Sequence, residues 1–166
     1  MNIAAVKERL ALIQAGGVDS EDQPVTGIAN VVRAYAQGPA SLPESDLPAF
    51  VNFTGPTLAM QSIGGAFYRE KRQINCRLYV APVQAGVDGE AERKVEPFIE
   101  SGMRCFLQHT SLGDGNPADL IEGILTFTYL GDTGVTVLRY AGQDYLGVEF
   151  RVAAEAVIEQ EPGPLE

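Results

Sequence analysis

Residues 144–158 decide the fold, and they read DYLGVEFRVAAEAVI. Apolar side chains stand at every second position from Leu146 to Ile158, and three of the positions between them are charged. This period of two predicts a long β-strand with one face against the hydrophobic core. Its length makes it the strand around which the rest of the chain has to be arranged.

Turns and further strands can be placed outward from this segment. Residues 131–134 (GDTG) and 141–143 (AGQ) have the composition of tight turns. They predict a meander of three antiparallel strands, at residues 120–130, 135–140 and 144–158. A fourth strand is predicted at residues 68–82, where apolar residues alternate with polar ones: Ile74, Cys76, Leu78 and Val80.

Two stretches have the period of an amphipathic helix. The first covers residues 2–14 and ends at a Gly-Gly pair, and the second covers residues 90–109. The apolar side is formed in the first by Ile3, Val6, Leu10 and Ile13, and in the second by Val95, Phe98, Ile99, Met103, Phe106 and Leu107. Pro97 predicts that the regular part of the second helix begins near Val95.

The remaining segments are shorter or irregular. Strands are predicted at residues 25–35 and 49–53, with loops or turns at residues 18–24, 37–48, 83–89 and 111–116. Residues 54–65 contain glycine and proline without a clear period. Two amphipathic helices each need an apolar sheet face, so the fold class is predicted as α+β, an antiparallel sheet with both helices packed against it. Residues 1–158 are interpreted as a single domain and residues 159–166 as a disordered acidic tail.

Composition excludes several classes of protein. The 166 residues carry a net charge of −10, which argues against a surface that neutralises nucleic-acid phosphates. A single histidine and two cysteines cannot supply a four-ligand zinc site. The first residues lack the apolar run of a signal peptide, and the longest uncharged stretch, 47–68, is interrupted by proline and glycine. We therefore expect a soluble intracellular protein without metal or cofactor.

The candidates for catalysis are weak. His109 with Ser111 could form part of a nucleophilic site, but His109 falls at a predicted helix end, where an imidazole interacts well with the last carbonyls. Residues 60–64 (MQSIG) lack the first glycine of a nucleophile elbow. Neighbouring acids such as Glu92 and Glu96 are interpreted as a solvated helix face. We therefore expect no enzymatic activity, no catalytic residues and no cofactor-binding residues.

Charge is unevenly distributed along the chain. Residues 69–77 have a net charge of +3, whereas residues 111–166 have a net charge of −8. Unlike patches of this kind suit contact between unlike faces of identical subunits. The basic residues are predicted to form a subunit interface: Arg69, Lys71, Arg72 and Arg77. The alternative is that they simply solubilise a loop or a strand end.

Two segments resemble a known family. Residues 140–152, YAGQDYLGVEFRV, look like the closing strands of the tail terminator and tail completion (neck) proteins of tailed bacteriophages, and residues 46–52, DLPAFVN, resemble an early strand of the same proteins. The order of helices and strands is similar over the whole chain. The resemblance implies a structural virion protein that assembles in the host cytoplasm into a homohexameric ring.

Such a ring caps the tail tube and joins it to the head-side connector. The implied partners are other copies of the chain, the major tail tube protein and a head-completion or connector protein. DNA is a transient partner that passes through the channel, and no membrane is involved. A channel that conducts DNA should not grip its phosphates, so acidic residues are predicted to face it: Asp132, Asp144 and Glu149. Glu149 shares its strand face with Arg151, so an intersheet or intersubunit ion pair is an equally good interpretation. The segment at residues 54–67 is expected to be mobile in the free protein and ordered on docking.

Two other interpretations stay open. The chain could be a ligand-binding or enzymatic α+β domain whose tyrosines line a pocket on the sheet: Tyr68, Tyr79, Tyr129, Tyr140 and Tyr145. Tyrosine is equally common in protein interfaces, so these residues do not decide between the two. The chain could also be a different phage neck or tube subunit.

Overall fold

The computed structural model describes residues 1–83, 89–109 and 124–159. The described residues form an α+β fold, as the sequence predicts. The helices are α1 (Ile3–Ala15) and α2 (Gly89–Gln108), with a short 3-10 turn at Glu44–Asp46. The strands are β1 (Gly17–Val18), β2 (Pro24–Val25), β3 (Arg33–Tyr35), β4 (Ala49–Gly64), β5 (Phe67–Pro82), β6 (Ile124–Asp132), β7 (Thr136–Tyr140) and β8 (Gln143–Glu159).

One large sheet dominates these residues. Its strands lie in the order β3-β4-β5-β8-β6, and β7 also pairs with β8, while β1 and β2 form a separate small pair. Every pairing is antiparallel except that of β3 with β4, which is parallel. The centre is the long pairing of β5 with β8, which runs from Phe67 opposite Glu159 to Pro82 opposite Tyr145. The segment 144–158 is thus a central strand.

Both helices cover one face of this sheet. In α1 the side chain of Asn2 accepts a hydrogen bond from the Ala5 amide at 3.1 Å, which satisfies one of the unpaired donors of the first turn. The helix buries Val6, Leu10 and Ile13, as its apolar period predicts. The helix α2 buries Val95, Phe98 and Phe106. It is helical from Gly89, whereas Pro97 predicted that the regular part begins only near Val95. Pro97 lies on the exposed side of the helix.

The larger hydrophobic core lies between the helices and the sheet. Three aromatic rings meet at its centre, with centroids 6.0 Å apart for Phe50 and Phe150 and 5.4 Å apart for Phe106 and Phe150. Gly102 allows α2 to lie directly against the Phe150 ring, because a Cβ at this position would lie 2.4 Å from Cζ of Phe150. The helix therefore approaches the sheet more closely than a side chain would allow.

A smaller core covers part of the opposite face. Tyr79 packs edge-on against Tyr140 and Tyr145, with ring centroids 5.4 and 5.5 Å away. Leu42, Ala49, Val51 and Leu138 complete this cluster. The half of the sheet nearest the start of β4 is consequently covered on both faces.

The strand predicted at residues 25–35 is wrong over most of its length. The chain is extended there only at β2 and β3, and residues 26–32 are irregular. Gly27 lies against the backbone at the end of α1, and the Ile28 amide donates to the Gln14 carbonyl at 2.9 Å. Packing against the helix end therefore overrides the β preference of the branched side chains.

The strand predicted at residues 49–53 is too short. It continues through the glycine- and proline-bearing segment to Gly64 as the first arm of a hairpin with β5. The pairing shifts register between Thr54 and Thr57, between Thr57 and Ala59, and between Ser62 and Gly64. Each shift breaks the period of two, which is why the sequence pattern hides the strand. The segment expected to be mobile is hydrogen-bonded β-structure in this fold.

The three-strand meander is also wrong. Both β6 and β7 pair antiparallel with β8, and β5 occupies the other edge of β8. The two strands therefore run in the same direction and lie end to end. Residues 131–134 interrupt one strand instead of reversing it. The Asp132 carboxylate accepts a hydrogen bond from the Gly134 amide at 2.7 Å, and Gly134 adopts a φ of 67°, which glycine tolerates best.

Some predictions lie outside the described residues. These are the turn at residues 111–116, the first residues of the strand predicted from residue 120, most of the loop at residues 83–89, and residues 160–166 of the tail. Ser111, considered above with His109, also lies outside them.

Candidate interaction surface

The burial of the sheet changes along the length of its strands. We call the arm the part formed by residues 56–64 of β4, 67–72 of β5 and 154–159 of β8. The first four residues of β4 are buried, whereas every residue from Pro56 to Gly64 is exposed. The arm exposes four large apolar side chains by 43–52%: Leu58, Met60, Ile63 and Phe67. Apolar side chains gathered on one exposed hairpin are typical of a surface that contacts another protein.

Alternation along β5 divides the predicted basic cluster between two faces. Ile74, Cys76 and Leu78 point into the main core under the helices. Residues an even number of positions away share that face. Arg72 therefore lies on the helix side, where its Nε donates to Oε1 of Glu70 at 2.8 Å. The other three basic residues lie on the opposite side of the sheet, which we call the open face: Arg69, Lys71 and Arg77.

The open face carries a ladder of charges between β5 and β8. Nε of Arg69 lies 3.4 Å from Oε1 of Glu155, and Lys71 is directly opposite Glu155 in the strand register. Farther along, the guanidinium of Arg77 lies over the ring of Phe53, 4.8 Å from its centroid. On the open face, β5 and β8 together hold four basic side chains, with Arg151 as the fourth, and three acidic ones, Glu149, Glu155 and Glu159.

Glu149 is the centre of this ladder. Its carboxylate accepts hydrogen bonds from Nε of Arg77 at 2.7 Å and from Nε of Arg151 at 3.0 Å. Burial by itself would raise the pKa of Glu149, but the hydrogen bonds and charges of the two arginines outweigh it and hold that pKa below its ordinary value. Glu149 is thus paired within its own subunit, with Arg151 of the same strand and with Arg77 of β5, whereas the sequence pattern left its ion-pair partner open.

The two other acids predicted for a channel lie apart from each other. Asp132 is exposed at the end of β6, where it also accepts a hydrogen bond from the Tyr129 hydroxyl at 2.7 Å. Burial and the neighbouring Asp132 carboxylate raise the pKa of Tyr129. Asp144 is exposed at the start of β8, opposite Arg139. It lies six positions along β8 from the residue opposite Asp132, which is about 20 Å in an extended strand.

The tyrosines do not converge on one pocket. Tyr79, Tyr140 and Tyr145 form the small core described above, whereas the ring of Tyr129 stacks on Phe106 under the helices at 6.2 Å. Burial raises the pKa of Tyr79, so this phenol stays protonated. The arrangement uses these side chains for packing on both faces of the sheet. It therefore does not support a tyrosine-lined ligand site.

A cleft of about 310 Å³ lies between residues 26–29 and α2, and its wall includes Ser101, Arg104, Cys105 and His109. Arg104 is paired with Glu100 at 2.5 Å, and the Cys105 thiol faces the Ile13 carbonyl at 3.5 Å. His109 directly follows the last residue of α2, and its amide donates to the Cys105 carbonyl. The helix-end position predicted for His109 is confirmed.

Few other reactive groups occur among the residues that the structure describes. Cys76 is buried in the main core, and burial raises the pKa of its thiol. Within the described ranges, no three His, Cys, Asp or Glu side chains are grouped as a metal site requires. None of the described helices combines the length and apolarity needed to cross a bilayer.

Sequence reasoning missed the exposed apolar residues of the arm. A signal was available, because the stretch from residue 47 to residue 68 has no charge. A surface loop of that length usually contains charged residues, whereas a contact surface is depleted of them. Neither a protein-family model nor a curated protein matches this chain.

Proposed function

We propose that this protein is a structural subunit of the bacteriophage tail–neck junction. Copies of the chain form a ring, expected to be a hexamer, that caps the tail tube and joins it to the head-side connector. The proposal starts from the resemblance of residues 46–52 and 140–152 to tail terminator and tail completion proteins. Those residues form the start of β4 and the β7–β8 hairpin, both in the body of the sheet.

The arm is the observation that carries the proposal. Leu58, Met60 and Ile63 expose apolar surface to water, which costs free energy in an isolated subunit unless a partner covers it. A protein whose work is assembly needs such a surface. An enzyme would instead need convergent polar groups in a pocket, and the described tyrosines and cysteines are used for packing.

Charge supports contact between unlike faces of neighbouring subunits. The open face is basic at Arg69 and Lys71, while the chain as a whole is strongly acidic. In a ring, each subunit presents one patch to its neighbour and receives a different one, so opposite charges can meet at every contact. Arg72 and Arg77 are already satisfied by Glu70 and Glu149 within the subunit. Arg69 and Lys71 share the single carboxylate of Glu155, so they are the basic residues we assign to the subunit contact.

DNA passes through the channel of the proposed ring. Asp132 and Asp144 are exposed and can contribute negative potential to a channel wall, which keeps phosphates from binding. Glu149 contributes little, because two arginines neutralise it. We therefore assign the wall to the two exposed acids.

Electron microscopy of the purified protein mixed with isolated tail tubes tests the proposal. We expect rings in the protein alone or at the tube ends, and native mass spectrometry should give a multiple of the chain mass. The variant carrying Asp132→Lys and Asp144→Lys should still form rings, but DNA ejection from reconstituted particles should slow. A protein that is monomeric with and without tubes, or that turns over a small molecule, contradicts the proposal.

A further inference from the structure

The sheet has two edges that no described strand covers. On one side β3 pairs with β4 only up to Val51, so no described strand pairs with the outer edge of β4 from there to Gly64. On the other side β6 pairs only with β8 among the described strands. Each edge therefore presents a row of backbone N–H and C=O groups that a further strand could bind.

Most proteins protect such edges, and this one protects them incompletely. Charged side chains, proline and bulges are the usual devices. Pro56 and the nearby register shifts interrupt the first part of the β4 edge. From residue 58 to residue 63 the sequence LAMQSI contains no charge and no proline. The edge strand β6 is equally uncharged up to its last residue, Asp132.

Strand direction makes the two edges complementary to each other. The strands β4, β5, β8 and β6 alternate in direction, and their number is even. The two edge strands therefore run in opposite directions. When a second copy is placed beside the first in the same orientation, its β4 is antiparallel to the β6 of the first. The helices of both copies then lie on the same side of one continuous sheet.

The two edges also lie at the same level of the sheet. One row of directly paired residues runs across it from Ala59 through Lys71 and Glu155 to Thr126. Ala59 and Thr126 are both exposed, and both belong to the open face by alternation. Copies placed side by side without a shift would bring these two residues together.

We infer that the β4 edge of one copy, residues 58–63, adds to the β6 edge of the next copy and continues its sheet. The occupant of each edge is thus a second copy of this chain. The contact joins two different surfaces, so repetition closes a ring or extends a filament. The inference deepens the proposed function and rests on it, since it names the contact between neighbouring subunits of the ring.

The first test places charges on the edge. The full-length variant carrying Leu58→Lys and Met60→Lys should lose self-association, with the dissociation constant in analytical ultracentrifugation rising at least tenfold. Leu107→Lys is the matched control, because Leu107 is 54% exposed but lies on α2. Circular dichroism should show that all variants stay folded. Association that survives the two lysines, or that is lost equally in the Leu107 variant, overturns the inference.

The second test identifies the paired strands. Under mild oxidation, the variant with Ala59→Cys and Thr126→Cys should form a ladder of cross-linked multimers on a non-reducing gel. A second double variant, Gln61→Cys with Thr126→Cys, tests the same contact with β4 shifted by two residues. Each single variant should remain uncross-linked. A dimer formed by Ala59→Cys alone would indicate pairing of two β4 edges and overturn the inference, as would oligomers in which neither double variant cross-links.

The two proposals can fail separately. Multimers that cross-link as expected but never bind tail tubes in micrographs contradict the proposed function and support the edge contact. Rings that cap tubes while both cysteine pairs stay reduced support the function and overturn the edge contact.

Discussion

The body and the arm are built from the same strands, and the difference between them lies in what covers the sheet. In the body, α1 and α2 cover one face and the tyrosine cluster covers part of the other, so β4 is fully buried at residues 49–52. In the arm, β4 is exposed from Pro56 to Gly64 although its pairing with β5 continues. Backbone pairing thus maintains the strand where packing is missing, and the exposed side chains become available for partners.

The largest effect is expected where the body is packed most tightly. Phe150→Ala removes a fully buried ring that contacts Phe50 and Phe106, and it should lower the free energy of unfolding by about 3–5 kcal/mol. Phe67→Ala is the matched control in the arm, because Phe67 is 44% exposed, and it should cost less than about 1 kcal/mol. Urea unfolding measures both. Equal losses would show that the arm is packed in solution as the body is.

A smaller loss is expected from Gly102→Ala. The added methyl would lie 2.4 Å from Cζ of Phe150, whose fully buried ring already contacts Phe50 and Phe106. Overpacking should cost about 1–3 kcal/mol, in spite of the better helix propensity of alanine. Gly89→Ala in the same helix has open space around it and should be neutral or slightly stabilising. Thermal unfolding of the two variants checks this, and equal melting temperatures would contradict the close approach of α2.

Glu149 lies in the body between Arg77 and Arg151, and its effect on stability should depend on pH. Folding lowers its pKa, so the ionised carboxylate stabilises the fold at neutral pH, and this contribution is lost as the pH falls below the ordinary pKa of 4.5. Glu149→Gln should therefore cost about 1–2 kcal/mol at pH 7, a modest value because Arg77 and Arg151 are partly exposed. The difference from the natural protein should shrink toward pH 3.

Glu159→Gln provides the control for this measurement. Glu159 is exposed at the end of β8, and its replacement should change the free energy of unfolding by less than about 0.5 kcal/mol at either pH. A loss for Glu149→Gln that does not vary with pH would mean that the side chain acts through packing instead of charge.

The smallest effect on stability is expected in the arm. Met60→Gln replaces a side chain that is 52% exposed and should change the free energy of unfolding of the isolated subunit by less than about 0.5 kcal/mol. Urea unfolding at a concentration where the protein is monomeric measures this value. A loss above 1 kcal/mol would show that Met60 is packed within its own subunit, which would contradict the contrast between arm and body.

Individual helices and strands show which parts of the fold can be predicted from the sequence. The helices, β5 and β8 were predicted within about two residues at most ends, because one long apolar period runs through each. The second strand of the predicted meander failed at residues 131–134, where Gly131 and Gly134 suggest a reversal of the chain. Whether two glycines reverse a strand or only interrupt it depends on which neighbouring strand forms hydrogen bonds with the residues that follow. Here β8 pairs with both β6 and β7, so the strand is only interrupted.

The candidate site was predicted in part. The basic residues at positions 69–77 were recognised from charge alone, but their division between two faces follows from the pairing of β5 with its neighbours. Arg72 is bound to Glu70, and Arg77 is bound to Glu149 seventy-two positions away. Local spacing contains no information about a partner so distant along the chain.

The sequence by itself determined the α+β class and the core-facing sides of α1, α2, β5 and β8, because hydrophobic periodicity is local and burial rewards it in any arrangement of those elements. Tertiary structure alone decided which edges of the sheet stay open, that residues 54–64 extend β4, and that Glu149 sits between Arg77 and Arg151. These features depend on strand order and register, which are set by contacts between residues far apart in the chain. The sequence shows that residues 47–68 carry no charge, but only the fold shows that residues 56–64 of this stretch are exposed.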